Sequence, residues 1–258
     1  MKYLHIESSH VKEIINKHWI VYGLTIISAL IMRYFCHTNN SDTLKWILTP
    51  TTRWVSTLSD ISFEYIPHMG YINHFYQFLI APSCSGSRFM MLTFIMLIFS
   101  FLYQINSTLK GFLWFIFSAV FSYVSTIFVN SIRIIASICL PIRLEDLQFM
   151  HGWLTPDRLH TIIGSTVYFS GLCLIYILVS FIFKRIFLSV GFSTIIAPAF
   201  WYMLIVLALP FLKRLYKNEW EGFAGYAALV IGICFNVTML FRLILIPFFH
   251  KPGHEKNI

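Results

Sequence analysis

Cys84 stands in the stretch Ala81-Pro82-Ser83-Cys84-Ser85-Gly86-Ser87-Arg88, which leads into a long apolar run from Phe89 to Tyr103. A thiol placed where a helix begins meets unpaired backbone N–H groups and the positive end of the helix dipole, and both favour an anion. Cys84 is therefore a candidate nucleophile. Cysteine catalysis also needs a base to draw off the thiol proton, and a cation or N–H donors where a tetrahedral oxyanion develops. His160 could supply the base and Arg133 the cation, because a guanidinium keeps its charge when buried and offers a fork of N–H donors. Asn130, one helical turn before Arg133, could orient that guanidinium or hydrogen-bond a neighbouring helix.

Membrane crossings are what must bring these residues together. With 57% hydrophobic and 12% charged residues the chain cannot make a soluble surface, and it reads as an all-α, polytopic helical bundle of about 6–8 transmembrane helices. Apolar runs fall near residues 19–35, 85–103, 111–130, 161–183, 194–212 and 225–249, with 131–141 as an extra short helix or a protruding end. Residues 37–80 are mixed in polarity and aromatic, with turn-forming Pro50, Pro67 and Gly70, and read as an outer loop partly lying on the membrane. Since crossings alternate in direction, the second helix begins, the third ends and the fourth begins on one membrane face. Cys84, Arg133 and His160 occupy those three places. Lys2, Lys12, Lys17 and Lys110 point to a cytoplasmic amino terminus, while Lys213, Arg214 and Lys217 fall on the opposite side of that count.

Other chemistries find less support. The net charge of +8 is spread in small groups between apolar runs, a pattern of topology signals and not of nucleic-acid binding. Five cysteines without CxxC spacing make neither a disulfide framework nor a zinc ribbon, and Cys139, Cys173 and Cys234 read as small apolar fillers. No His-Glu-x-x-His spacing exists, so neither metal nor cofactor is expected. Simpler roles stay open for each site residue. Cys84 could be a filler, Arg133 a snorkelling anchor and His160 a helix cap, with His68, His74 and His151 as rival bases.

Cys84-Ser85-Gly86-Ser87-Arg88, then Asn130-Ser131-Ile132-Arg133, then His160 with Gly164 and Tyr168-Phe169 resemble, in order and spacing, the three motif blocks of the exosortase/archaeosortase family. Leu44-Lys45-Trp46 with Pro50-Thr51-Thr52, Gly70-Tyr71, the run Phe78 to Cys84 and Arg158-Leu159-His160 look closest to its exosortase K group. Ser87 departs from the apolar residue that many members carry. The resemblance covers about residues 40–183 as a catalytic core within a single multi-pass membrane domain spanning 1–258; the helices of 190–258 have no matching block and no assigned role.

That resemblance implies a membrane cysteine protease/transpeptidase of the bacterial inner membrane, with its site on the external face. Its partners would be membrane-tethered proteins ending in a short motif, a transmembrane helix and a basic tail. Cys84 would be the acylated nucleophile, His160 the general acid/base, Arg133 the oxyanion stabiliser and Asn130 a supporting residue. The alternative is a non-catalytic transporter or assembly factor for surface polysaccharide, in which Arg133 and Asn130 line a path for an anionic solute.

Overall fold

The computed structural model describes residues 2–37, 40–146, 154–183, 193–217 and 223–249. The chain is an all-α polytopic bundle, and among the described residues six helical stretches are long and apolar enough to cross a membrane. It forms two compact units, Met1–Leu147 and Gln148–Ile258.

The first unit contains α1 (Lys2–His37), α2 (Lys45–Ser59), three short strands, α3 (Ser87–Phe101) and α4 (Thr108–Asp146). Two faces of α4 explain why it lies at the centre. Leu109, Leu113, Ile116, Val120 and Val124, spaced by three or four residues, are exposed and form a stripe suited to lipid. Ser118, Ser122, Thr126 and Asn130, spaced by four, are buried. Small side chains on that second stripe let helices approach closely, and Thr126 turns its hydroxyl onto the Ser122 carbonyl at 2.7 Å. α3 runs antiparallel to α4. Trp114 Nε1 donates to the Leu97 carbonyl at 3.2 Å and Phe94 meets Phe115 edge-on at 5.4 Å near one end, while Gly86 abuts Asn130 at the other.

α1 closes against the turn that joins α3 to α4. His18 is buried there, its Nε2 lying 2.8 Å from the Ile105 carbonyl. Only a glycine at 111 leaves room for that ring, because an added Cβ would come within 2.9 Å of His18 Nδ1.

After Asn130 the third crossing was expected either to run on as a protruding end or to give way to an extra short helix, and it does not break. α4 continues unbroken through Pro141 to Asp146. Residues 131–146 carry it about 24 Å beyond the level of Asn130, at 1.5 Å per residue. There is no separate helix at 131–141.

Around this extension the segment expected to be an outer loop is folded. α2 buries Ile47, Leu48, Thr51, Thr52 and Val55, a one-sided helical pattern. Together with Leu44 these apolar residues pack on Ile134 and Ile138 of α4, on Ile80 and on Met90. Pro50 was read as a turn former but lies inside α2. Lacking an N–H, it cannot bond the Trp46 carbonyl four residues back. Tyr123 of α4 supplies the missing donor, its hydroxyl 2.8 Å from that carbonyl, and its ring stacks on Trp46 at 5.6 Å.

After α2, β1 (Glu64–Ile66), β2 (Gly70–Asn73) and β3 (Phe78–Ile80) form an antiparallel meander in that order. The register sets Tyr65 beside Tyr71 and Tyr71 beside Ile80, so the three share one face. That face is tied to the helical layer by two hydroxyls: Tyr71 pairs with Thr49 Oγ1 at 2.8 Å, and Tyr65 donates to Asp42. The Tyr65 hydroxyl, aided by Lys45 and His68, holds the Asp42 carboxyl below its ordinary range. His68 Nδ1 lies 2.9 Å from Asp42, and the Lys45 ammonium sits 3.9 Å above the Tyr65 ring.

The second unit contains α5 (Pro156–Ile182), α6 (Ser193–Met203), α7 (Leu209–Lys217) and α8 (Phe223–Phe249). α5 begins five residues before the expected start at Thr161, with Thr155 as N-cap, Pro156 in the first turn and Asp157 beside it. α6 joins α7 through a wide turn at Leu204–Ala208, just ahead of Pro210, which has no N–H to continue a regular ladder. Phe169 of α5 packs on Tyr202 of α6 at 5.3 Å.

Two outcomes follow. Tyr123→Phe leaves the Trp46 carbonyl without its donor while keeping the ring, and should lower stability in detergent by about 1 kcal/mol, read as a reduced thermal midpoint. The Asp42 contribution is present above the unfolded carboxylate pKa of about 3.9 and is lost as pH falls through the depressed folded value. The midpoint gap between wild type and Asp42→Asn should therefore be open at neutral pH and close progressively below about pH 4.

Candidate active site

Cys84 lies in a short 3-10 turn, Pro82–Cys84, and not in the first turn of the helix itself. Pro82 presets the turn; the Cys84 N–H donates to the Ala81 carbonyl at 2.8 Å and the Ser85 N–H to the Pro82 carbonyl at 3.1 Å. Gly86 then takes a left-handed conformation with φ of 73°, and α3 starts at Ser87. Ser85 is buried and its Oγ lies 3.4 Å from the Ser87 N–H, so a side chain from the motif itself meets one of the helix-end donors. The thiol is half-buried against the cluster formed by α2, α4, Ile80 and Met90.

Gly86 is required twice. Its φ disfavours any residue with a Cβ, and a Cβ there would meet Asn130 Cγ at 2.9 Å and both Asn130 Cβ and Thr126 Cγ2 at 3.0 Å. The close approach that results puts the Asn130 amide against the turn.

Asn130 has no exposed surface, and it makes two different bonds. Its Nδ2 donates to the Cys84 backbone carbonyl at 2.6 Å, and its Oδ1 accepts from an Arg133 guanidinium N–H at 3.4 Å. A carbonyl needs a donor and a guanidinium needs an acceptor, so one amide orientation satisfies both partners. Asn130 is therefore a bridge between the main chain of the cysteine turn and the head of the arginine. Of the two roles open to it, it fills both: it contacts the neighbouring segment and it binds the guanidinium.

Arg133 is 8% exposed. The side chain is enclosed by protein, whereas a snorkelling arginine leaves its head in water. A buried guanidinium retains its charge, which makes it a fixed cation close to the cysteine turn. Ser131, the residue between, fixes α4 from the other side: its Oγ bonds the Ile127 carbonyl at 2.7 Å and the Thr51 carbonyl of α2 at 3.2 Å.

The first unit thus brings together Cys84, Asn130 and Arg133. His160 belongs to the second unit, in the second turn of α5, and is exposed. Of the rival bases, His68 is engaged with Asp42 at 2.9 Å and His74 lies 3.9 Å from Glu64, while His151 lies outside the described residues. Thr126 and Ser131 were not singled out from sequence. For Thr126 the available signal was its place one turn before Asn130 in the series Ser118, Ser122, Thr126, Asn130; Ser131 stood in the second motif block without a role of its own.

No protein-family model, curated protein or solved structure matches this chain. What the site can do rests on its residues: a thiol in a tight turn, and a buried cation held to that turn by an amide.

The bridge makes separable predictions. Gly86→Ala should be destabilising through the left-handed backbone alone by about 1–2 kcal/mol, with the Asn130 contact adding to it. Asn130→Asp keeps an acceptor for Arg133 but sets a carboxylate against the Cys84 carbonyl. It should cost more than Asn130→Ala, for which about 1–3 kcal/mol is expected. Thermal midpoints of the three purified variants check the order.

Proposed function

We propose that the chain is a membrane cysteine protease/transpeptidase that cleaves proteins carrying a C-terminal sorting signal and transfers the product through a thioester on Cys84. The observation that carries this reading is the Asn130 bridge, which joins the Cys84 turn to a buried arginine. An apolar filler needs no cation, and a guanidinium is costly to bury without a use.

In this reaction the Cys84 sulfur attacks the scissile carbonyl, and Arg133 stabilises the oxyanion that forms. His160 takes the thiol proton and passes it to the leaving amine as the C–N bond breaks, leaving a thioester on Cys84. An amine, another acceptor or water then attacks the thioester and restores the thiol. His160 receives its role from its place in the third motif block of the resemblance. The substrate class, a membrane-tethered protein with a basic tail after its last helix, comes from the same source, as does a site on the external face of the bacterial inner membrane.

Processing of such proteins in cells of the host tests the proposal. Cys84→Ala should abolish it, and Arg133→Ala and His160→Ala should each slow it by about a hundredfold or more. If Cys84→Ala retains full function while Arg133→Ala loses it, the chain is a non-catalytic polytopic protein that handles an anionic solute.

A further inference from the structure

Outside this site the most telling feature is a cleft of about 510 Å³ between α2 and the sheet, lined by Thr49, Thr52, Arg53, Ser56, Thr57 and Tyr71, with Phe63 on one wall. Hydroxyls on a helix usually close onto the carbonyl one turn back. Thr51, Thr57 and Ser59 do so, at 2.8, 2.9 and 2.7 Å. Thr52 does not. It is 4% exposed, and its hydroxyl has no hydrogen-bond partner among the described residues. A buried polar group left in that state is costly unless something else completes it.

Arg53, the next residue, is exposed, and among the described residues no carboxylate pairs with its guanidinium. The cleft therefore combines a cation that no described carboxylate pairs with, the uncommitted hydroxyl of Thr52 and the hydroxyl of Ser56, and no acid lines it. That set suits an oxyanion, which a guanidinium grips with two parallel N–H donors while hydroxyls meet the remaining oxygens.

The neighbourhood of the cleft points to the anion. The second apolar span begins at Pro82, and α2 packs beside that beginning, on Ile80 and Met90, and along α4 from Tyr123 to Ile138. α2 exposes Trp46 at 48% and Trp54 at 40%, and Trp54 rests on the exposed ring of Phe128 at 4.7 Å. Indole rings in such positions mark the membrane–water interface, where phosphodiesters are concentrated. We infer that the cleft between α2 and the sheet binds the phosphate of a phospholipid headgroup through Arg53 and its neighbouring hydroxyls. The inference stands whether or not Cys84 is catalytic. A bound headgroup would brace α2, whose Thr51 carbonyl is hydrogen-bonded to Ser131 next to Asn130.

Native mass spectrometry of the full chain, released from detergent with added phosphatidylglycerol or with phosphate-free diacylglycerol, tests it. Wild type should retain phosphatidylglycerol, and Arg53→Gln should weaken retention by about tenfold or more, the loss of a charge-assisted pair. Arg53→Lys keeps the charge without the fork and should fall between them. Diacylglycerol should be held no better by wild type than by Arg53→Gln. Because Arg53 is exposed, an unchanged melting temperature in lipid-free detergent will show that the variant is folded. Equal phosphatidylglycerol retention by wild type and Arg53→Gln overturns the inference. So does displacement of the lipid by a soluble hexaglutamate peptide in an Arg53-dependent manner, which assigns the cleft to acidic polypeptides.

Discussion

The structure of the first unit depends on one amide. Asn130 sits where the cysteine turn, the start of α3 and the middle of α4 converge, and its two ends satisfy groups of opposite demand, a backbone carbonyl and a guanidinium. Much nearby is arranged so that this contact can form. Gly86 has no Cβ to block it, Thr126 folds its hydroxyl away and presents a methyl, and Ser131 secures α4 to α2 on the adjacent side. In a water-poor interior each of these groups would be costly if unpaired, so the network is stable as a set and sensitive to the loss of any member.

The constraint also explains why the thiol is accompanied by a cation. α4 extends past Asn130 as an unbroken helix, so Arg133 follows one turn later on a buried face. Its charge is then enclosed by α4 and its neighbours, and a fixed charge in such surroundings stabilises developing negative charge more than the same group in water. α2 packs on the same stretch of α4, on Ile134 and Ile138, and carries the sheet with it. They are attached to α4 by Tyr123 and Ser131, and α2 holds the sheet through the tyrosine hydroxyls of Tyr65 and Tyr71 with the residues around Asp42.

The crossings were legible because lipid imposes length and composition on a spanning helix, and the runs near 19–35, 85–103 and 225–249 match spans of the structure closely. Cys84, Asn130 and Arg133 stood out because polar residues at the ends of such runs need a reason. The folded segment 40–80 was not legible. Pro50, a residue that usually ends helices, lies within one here because Tyr123, 77 positions away, supplies a donor to the carbonyl that Pro50 leaves unbonded. The meander escaped notice because its strands are three or four residues long, too short for alternation to register. The early start of α5 was written in Thr155-Pro156-Asp157, a cap, a first-turn proline and an acid, and was masked by the polarity of the residues around it.

The proposed site makes Cys84 an activated thiol, with His160 as its base and Arg133 as its cation. Its most direct measurement is the rate of Cys84 labelling by a membrane-impermeant maleimide in vesicles exposing the Cys84 face, with the exposed Cys139 as an internal reference. Cys84 should react faster than Cys139 at neutral pH. His160→Ala should slow Cys84 by about tenfold while leaving Cys139 unchanged. Labelling of Cys84 that is slower than that of Cys139 and indifferent to both His160→Ala and Arg133→Ala would contradict it.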